Sequence, residues 1–472
     1  MHGYRTPANT DAKGSAPRPS ISISVLYVVS IERPVPGAHV GFLSIAMPSV
    51  AMTDTLSPAE TVSREAHAAG SSLTARLVDG LLGRASDDDG RIRHTLLAVC
   101  PNSETVARAA LEAAQEARAP LLYAATLNQV DRDGGYTGWT PATFASFVEE
   151  EIDRLGVDVP VILCLDHGGP WKKDAHVQND LAYEASLEEV KASIRACIDA
   201  GYDLLHLDPT VDLRLPPGQP VPIEDIVDRT VNLMGNAEAY RKAQDRRPIA
   251  YEVGTEESGG GLQSEDRFCE FLQLLASAID RKNLPRPRFV VGDVGTRLDT
   301  SHVNGVRADR LASEARQQIG ALLKGHYTDA VEDLAVYPLA GIGGANVGPG
   351  LSAAEFNALT RLIDLEERLG ATSGFADALR TAVVDSGRWR KWLRPEEAGL
   401  AFDDLPDDRR QWLIHTGSRY VWTEAEVAAS RQRLYDNVRP YRDPEAFVHW
   451  RVRSEILRYF HAFNLVGLAD KM

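Results

Sequence analysis

The stretch ILCLDHGGPW, Ile162–Trp171, decides how this chain is read. Four apolar residues run into an Asp-His pair and then into Gly-Gly-Pro. An apolar run closed by a Gly/Pro break reads as a buried parallel strand ending in a loop. A carboxylate and an imidazole at that edge are costly to bury unless each is satisfied or at work.

The pattern repeats on both sides. Apolar, β-branched runs are expected as strands at His94–Cys100, Leu121–Thr126, Val161–Asp166, Leu204–Asp208, Ile249–Gly254, Phe289–Asp293, Ile319–Gly325 and Leu334–Leu339. Amphipathic stretches such as Ser103–Arg118, Pro141–Leu155, Leu187–Ala200, Ile223–Asp245, Ser264–Ala278 and Ala308–Gln318 separate them. Eight strands alternating with helices predict an α/β fold, a (β/α)8 TIM barrel over residues 76–350. A doubly wound sheet is disfavoured, because no GxGxxG follows the first strand. Beyond residue 350 strand signals vanish. Residues 351–472 are expected to form a helical C-terminal extension that caps the barrel or makes an oligomer contact. It holds Trp389, Trp392, Trp412, Trp422 and Trp450, read mainly as packing. Residues 1–75 are Ala/Ser/Thr/Pro-rich and are expected to be a largely disordered extension. Within them residues 1–51 read as dispensable or an over-long start, because Met52 opens a more ordinary N-terminus.

Composition narrows the function classes. The 472 residues are 44% hydrophobic with a formal net charge of -16. That charge argues against nucleic acid or an anionic membrane as partner. Ile21–Val29 is shorter than the roughly 18 residues a membrane span needs. The four cysteines, Cys100, Cys164, Cys197 and Cys269, form no CxxC pair; they read as reduced thiols in a cytoplasmic protein.

In such a barrel, chemistry collects where strands run into the following loops. Three imidazoles, His167, His302 and His326, are expected to converge there as ligands of a divalent metal. Zinc is the first choice, with manganese, cobalt or nickel as alternatives. Asp166 is expected to shuttle a proton, or else to orient a neighbouring imidazole. Glu252 or Glu256 is expected as a fourth ligand or the opposing acid/base, and Glu256 is taken as the second catalytic group. Asn128, Gln129 and Tyr136 are expected to hold substrate hydroxyls, and Asp208 either to bind substrate or to serve as a structural partner. The glycine-rich GIGGANVGPG segment, with Gly343, Gly344, Asn346 and Gly348, is read as a loop whose backbone N–H groups cradle a phosphate. Lys172, Lys173, Arg297 and Lys324 are candidate supplementary cations.

Several motifs in order resemble the class II D-tagatose-bisphosphate aldolase accessory-subunit family, the GatZ/KbaZ-like proteins. They are NQVDRDGGYTGWTP (Asn128–Pro141), LDHGGP, LLHLDP, VGTE (Val253–Glu256), the His-x-Thr-Asp run at His326–Asp329 and VGPGLS (Val347–Ser352). The family is similar in fold to class II fructose-bisphosphate aldolases, which hold zinc by histidines with an Asp before the first ligand. The resemblance thus implies His167, His302 and His326 for the metal and Asp166 for proton transfer. It implies a sugar or sugar phosphate as substrate, and a homo-oligomer or a class II aldolase catalytic subunit as partner. The expected activity is a metal-dependent 4-epimerisation of a ketose or ketose phosphate, of the tagatose 6-phosphate/fructose 6-phosphate type, by retro-aldol and aldol steps. The alternative is a component of a class II tagatose-bisphosphate aldolase, either the aldolase itself or a non-catalytic stabilising subunit.

Overall fold

Eight parallel strands close into a barrel in sequence order. They are β1 (Leu96–Val99), β2 (Leu121–Thr126), β3 (Val161–Gly168), β4 (Leu204–Leu207), β5 (Ala250–Gly254), β6 (Phe289–Val291), β7 (Leu322–Gly325) and β8 (Gly344–Val347). The computed structural model describes residues 56–87, 90–216, 218–254, 264–296 and 302–472. Most strand residues are fully buried, as expected where helices cover a parallel sheet. Local chemistry sets the helix ends. Ser103 and Thr140 cap the helices Glu104–Ala117 and Pro141–Leu155, and Gly156 ends the latter in the left-handed region. The sequence expectation of a (β/α)8 barrel holds.

One strand differs. Leu334–Leu339 is no strand; it ends in a single helical turn, Val336–Leu339. Pro338 has no N–H to give a central ladder. The eighth strand is the glycine-rich run itself, paired with β7 on one side and β1 on the other. Glycine suits this position because a Cβ on Gly344 would lie 3.0 Å from the Phe289 ring and 3.1 Å from Lys324 Cγ, so a larger residue would press both side chains aside. The bare backbone makes room for the Lys324 side chain.

The expected extension over residues 1–75 also needs correcting. Residues 58–75 belong to two helices, Pro58–Ala68 and Leu73–Asp87, while residues 1–55 lie outside the described residues. Ser57 and Glu60 form a capping box on the first helix. The second is capped from a distance: Asp203, just before β4, accepts from Leu73 N, Thr74 N and Thr74 Oγ1 at 3.0, 2.7 and 2.6 Å. A cap contributes about 1 kcal/mol, and this one ties the helix to the N-terminal end of the strands. Leu77 and Val78 are buried in the main core.

After β8 the chain is helical. In Pro444–Ala462, Val452, Ile456, Tyr459 and Phe460 join the barrel core. The remaining helices build a second core around Leu359, Phe375, Trp389, Leu413, Trp422 and Leu434, which also takes in Tyr136 from the loop after β2. Trp389 is packing, as expected, but Trp392 and Trp412 line the cavity at the barrel mouth. No helix among the described residues is long and apolar enough to cross a membrane.

Candidate active site

A cavity of about 1150 Å³ opens over the C-terminal ends of the strands. Its floor is built by neighbouring residues that a regular strand would point to opposite faces. Asp166 follows the alternation of β3 into the barrel. His167 should turn away, but the pairing of β3 with β4 shifts register between Leu165 and Gly168. At this bulge His167 takes φ +52°, a conformation unusual for a non-glycine residue. Its ring consequently also reaches the cavity. The following Gly169 is obligatory, since a Cβ there would sit 1.8 Å from the Asp208 carbonyl oxygen.

Three imidazoles do converge, but they are His167, His206 and His326, with ring centres 5.0, 5.0 and 5.3 Å apart. His302, expected as a ligand, is exposed and enters neither group of candidate ligands. It lies just ahead of the helix Gly305–Ile319 rather than on a strand. His206 takes its place because it lies on β4 itself, in register with Glu252 of β5.

The donors fall into two groups. In the first, Asp166, His206, Glu252 and His326 are all buried, with ligand atoms within 4.8 Å of one another. His206 Nδ1 is 2.9 Å from Asp166 Oδ1 and 3.6 Å from Glu252 Oε1. His326 Nε2 is 3.4 Å from that same Glu252 oxygen. Ligand atoms around a tetrahedral ion with bonds near 2.1 Å stand about 3.4 Å apart, so these residues fit a divalent cation. In the second group, His167 Nδ1 is 2.6 Å from Asp208 Oδ2. Asp208 is held in turn by Lys172 at 2.7 Å and by the Thr210 hydroxyl at 2.5 Å.

Charge keeps the carboxylates ionised. Burial pushes Asp166 up, but His167, the hydrogen bond with His206 and the charge of His326 hold it well below the usual range. Burial likewise opposes Glu252, yet Lys324, His206 and His326 bring it to about 2. Asp208 lies well below the usual range through Lys172 and His167, again against burial. Lys324, expected as a supplementary cation, is 1% exposed and 2.6 Å from Glu252 Oε2. Three carboxylates face two ammoniums here, so when the imidazoles are neutral a negative charge is left for a cation to balance.

The other expected site residues divide. Asn346 lines the cavity, donates to Asp166 Oδ2 at 3.2 Å and leaves its own buried Oδ1 unpartnered. Gln129 and Tyr136 line the cavity, and both donate to Asn102 Oδ1, at 2.6 and 2.9 Å. Asn128 holds the loop by bonding Lys172 O and Asp174 N. Gly343 and Gly344 are sheet residues, not a phosphate cradle: Gly343 N donates to Leu323 O, and Gly344 pairs with Leu96 and Lys324. The amides of Gly348 and Gly350 do converge, but on the Asp329 carboxylate, at 2.7 and 2.8 Å. An internal anion fills the expected phosphate cradle. Lys173 is likewise used up, by Asp131 and Asp133. Glu256 and Arg297 lie outside the described residues.

Comparisons with known proteins agree with the motifs. Residues 85–279 match the family model described as D-tagatose-1,6-bisphosphate aldolase subunit GatZ/KbaZ-like. The D-tagatose-1,6-bisphosphate aldolase subunit GatZ of Shigella boydii serotype 18 is 28% identical in an alignment of 370 positions that covers 73% of this chain and 84% of the relative. The same subunit of Escherichia coli O8 matches to the same extent. A solved structure described as a probable tagatose 6 phosphate kinase from Sinorhizobium meliloti 1021 shares the fold, with TM-score 0.63 and 23% identity, covering 78% of this chain and all of that one. Motifs, family model and relatives together show the chain to be a relative of the GatZ/KbaZ-like D-tagatose-1,6-bisphosphate aldolase subunits.

Proposed function

We propose that this protein carries its own aldol site and works on the C3–C4 bond of a ketose phosphate, as a component of class II tagatose-bisphosphate aldolase chemistry. The observation that carries this reading is the pairing of a buried four-donor group, Asp166, His206, Glu252 and His326, with a cavity-facing imidazole held by its own carboxylate. A scaffold has no need of three buried carboxylates and three imidazoles at one strand end.

Asp166, His206, Glu252 and His326 would hold a divalent cation, zinc first. Bound there, it would supply Lewis acidity toward the C2 carbonyl and C3 oxygen of the ketose. Asp166 moves from the expected proton shuttle to a ligand position, and His167 from ligand to base. Asp208 accepts from His167 Nδ1, which fixes the tautomer and leaves Nε2 to take the C4 hydroxyl proton. As that proton leaves, the C3–C4 bond breaks: C4 becomes an aldehyde, and the electron pair passes toward C2 as an enediolate. Asn346 is placed to hold a substrate hydroxyl through its unpartnered Oδ1.

If the aldehyde escapes, the reaction is a lyase reaction; re-addition through its other face gives the 4-epimer. The names of the relatives favour the lyase and support association with an aldolase chain. Product analysis by ¹³C NMR separates the readings. The purified chain with zinc should convert D-tagatose 1,6-bisphosphate to triose phosphates, and EDTA should stop it. Accumulation of the fructose isomer without free triose would instead identify the epimerase. No turnover except beside a separate aldolase chain would overturn the proposal in favour of a stabilising subunit.

A further inference from the structure

The expected phosphate cradle is filled by Asp329, and Lys172, Lys173 and Lys324 are each matched by a carboxylate. The C-terminal helical region offers a different place for an anion. Arg419 lines the cavity and is 5% exposed. Its guanidinium bonds only neutral oxygens, the carbonyl of Thr416 and, at 2.9 Å, the Tyr420 hydroxyl. Among the described residues no carboxylate pairs with it. The buried Asp329 carboxyl feels its charge without bonding it; a buried guanidinium with no ion-paired partner is costly, and that cost is reduced when an anion binds.

Its surroundings point the same way. Lys391 Nζ stands 5.0 Å from the centre of the Tyr420 ring, Arg388 Cζ 5.1 Å and Arg419 Cζ 4.6 Å. Asp174 pairs with two of these three cations, Lys391 at 3.2 Å and Arg388 at 4.0 Å, and not with Arg419. Two donors nearby are buried without partners: Trp392 Nε1, on a residue that lines the cavity, and Arg388 Nη1. The local field also shows in Tyr420 itself. Burial pushes its hydroxyl up, yet Arg419 and Lys391 bring it below the usual tyrosine value.

We propose that Arg419, assisted by Lys391 and the Trp392 indole N–H, forms the subsite for the terminal phosphate of the substrate. The barrel thus supplies the chemistry, and the C-terminal helices recognise the phosphate. A guanidinium with free N–H groups suits a phosphate better than a point charge does. The assignment deepens the proposed function, since it concerns the same cavity, but it can be tested without turnover.

The probe is inorganic phosphate, titrated into the full chain by calorimetry, with acetate as the carboxylate control. Wild type should bind phosphate and bind acetate at least roughly tenfold more weakly. Arg419→Gln should weaken phosphate binding by about 10–100-fold, the range expected for lost charge-assisted hydrogen bonds, and Arg419→Lys should restore part of it. Lys391→Gln alters a more exposed residue and should weaken binding by a smaller factor in a chain that keeps its wild-type Tm. Phosphate binding unchanged in both Arg419→Gln and Lys391→Gln would overturn the assignment. Acetate binding as tightly as phosphate would overturn it in favour of a carboxylate subsite. Loss of phosphate binding in a chain without aldol turnover would leave the subsite standing while the proposed function fails.

Discussion

Replacing His167 with asparagine should lower kcat by about 10²–10⁴-fold, the usual contribution of a positioned acid/base group. Asparagine is chosen because it tolerates the left-handed backbone that His167 adopts at φ +52°. The variant therefore tests the ring rather than the bulge. Its amide cannot exchange a proton near neutral pH, so the base is lost while the buried donor group of Asp166, His206, Glu252 and His326 remains. Asp208→Asn should cost about 10–100-fold, because it loosens the imidazole without removing it. KM should change little in either variant. Steady-state turnover within threefold of wild type for His167→Asn would remove His167 from the chemistry.

Lys324→Met should destabilise the chain by about 3–5 kcal/mol, the cost of stripping one partner from a buried ion pair. Lys324 and Glu252 are both buried, 2.6 Å apart, beneath the cavity. In wild type the Glu252 carboxyl is depressed from 4.5 to about 2. Its stabilising contribution is thus fully present above about pH 4.5 and is lost as pH falls toward 2. In the variant the uncompensated carboxylate becomes easier to protonate, and protonation relieves its cost. The deficit should therefore be largest at neutral pH and narrow as pH falls below about 4.5. Urea unfolding of EDTA-treated protein at pH 7 and pH 4 measures it. A deficit below about 1 kcal/mol, or one that does not depend on pH, would show that the pair is not coupled as described.

Much of the fold was legible because a buried parallel strand leaves a plain mark: a short apolar run ending at Gly, Pro or a charge. β8 escaped that reading. Its GANV sequence carries two small residues and an amide, and its β character comes from packing against Phe289 and Lys324 rather than from propensity. The error spread to the site, because taking the glycines for a loop made a phosphate cradle of what is partly a strand. Pro338 was the available warning.

The site was legible where function sits beside a strand end. Asp166, His167, Asp208 and His326 were singled out and do meet. His206 was visible in LLHLDP, but its pairing with Glu252 depends on barrel register, which no local pattern reveals. His302 failed for the converse reason, since it sits on no strand but just ahead of the helix Gly305–Ile319. Arg419 and Trp392 lie more than 200 positions from His167 in sequence and enter the cavity only once the helical region has folded over the barrel. Their sequence surroundings read as ordinary helix surface and packing.

Anomalous diffraction from crystals of zinc-loaded protein, measured on both sides of the zinc absorption edge, tests the central claim most directly. The account predicts a single strong peak among Asp166, His206, Glu252 and His326, lost in the His206→Ala chain. A peak elsewhere in the barrel, or a map without one there in protein that turns over its substrate, would contradict it.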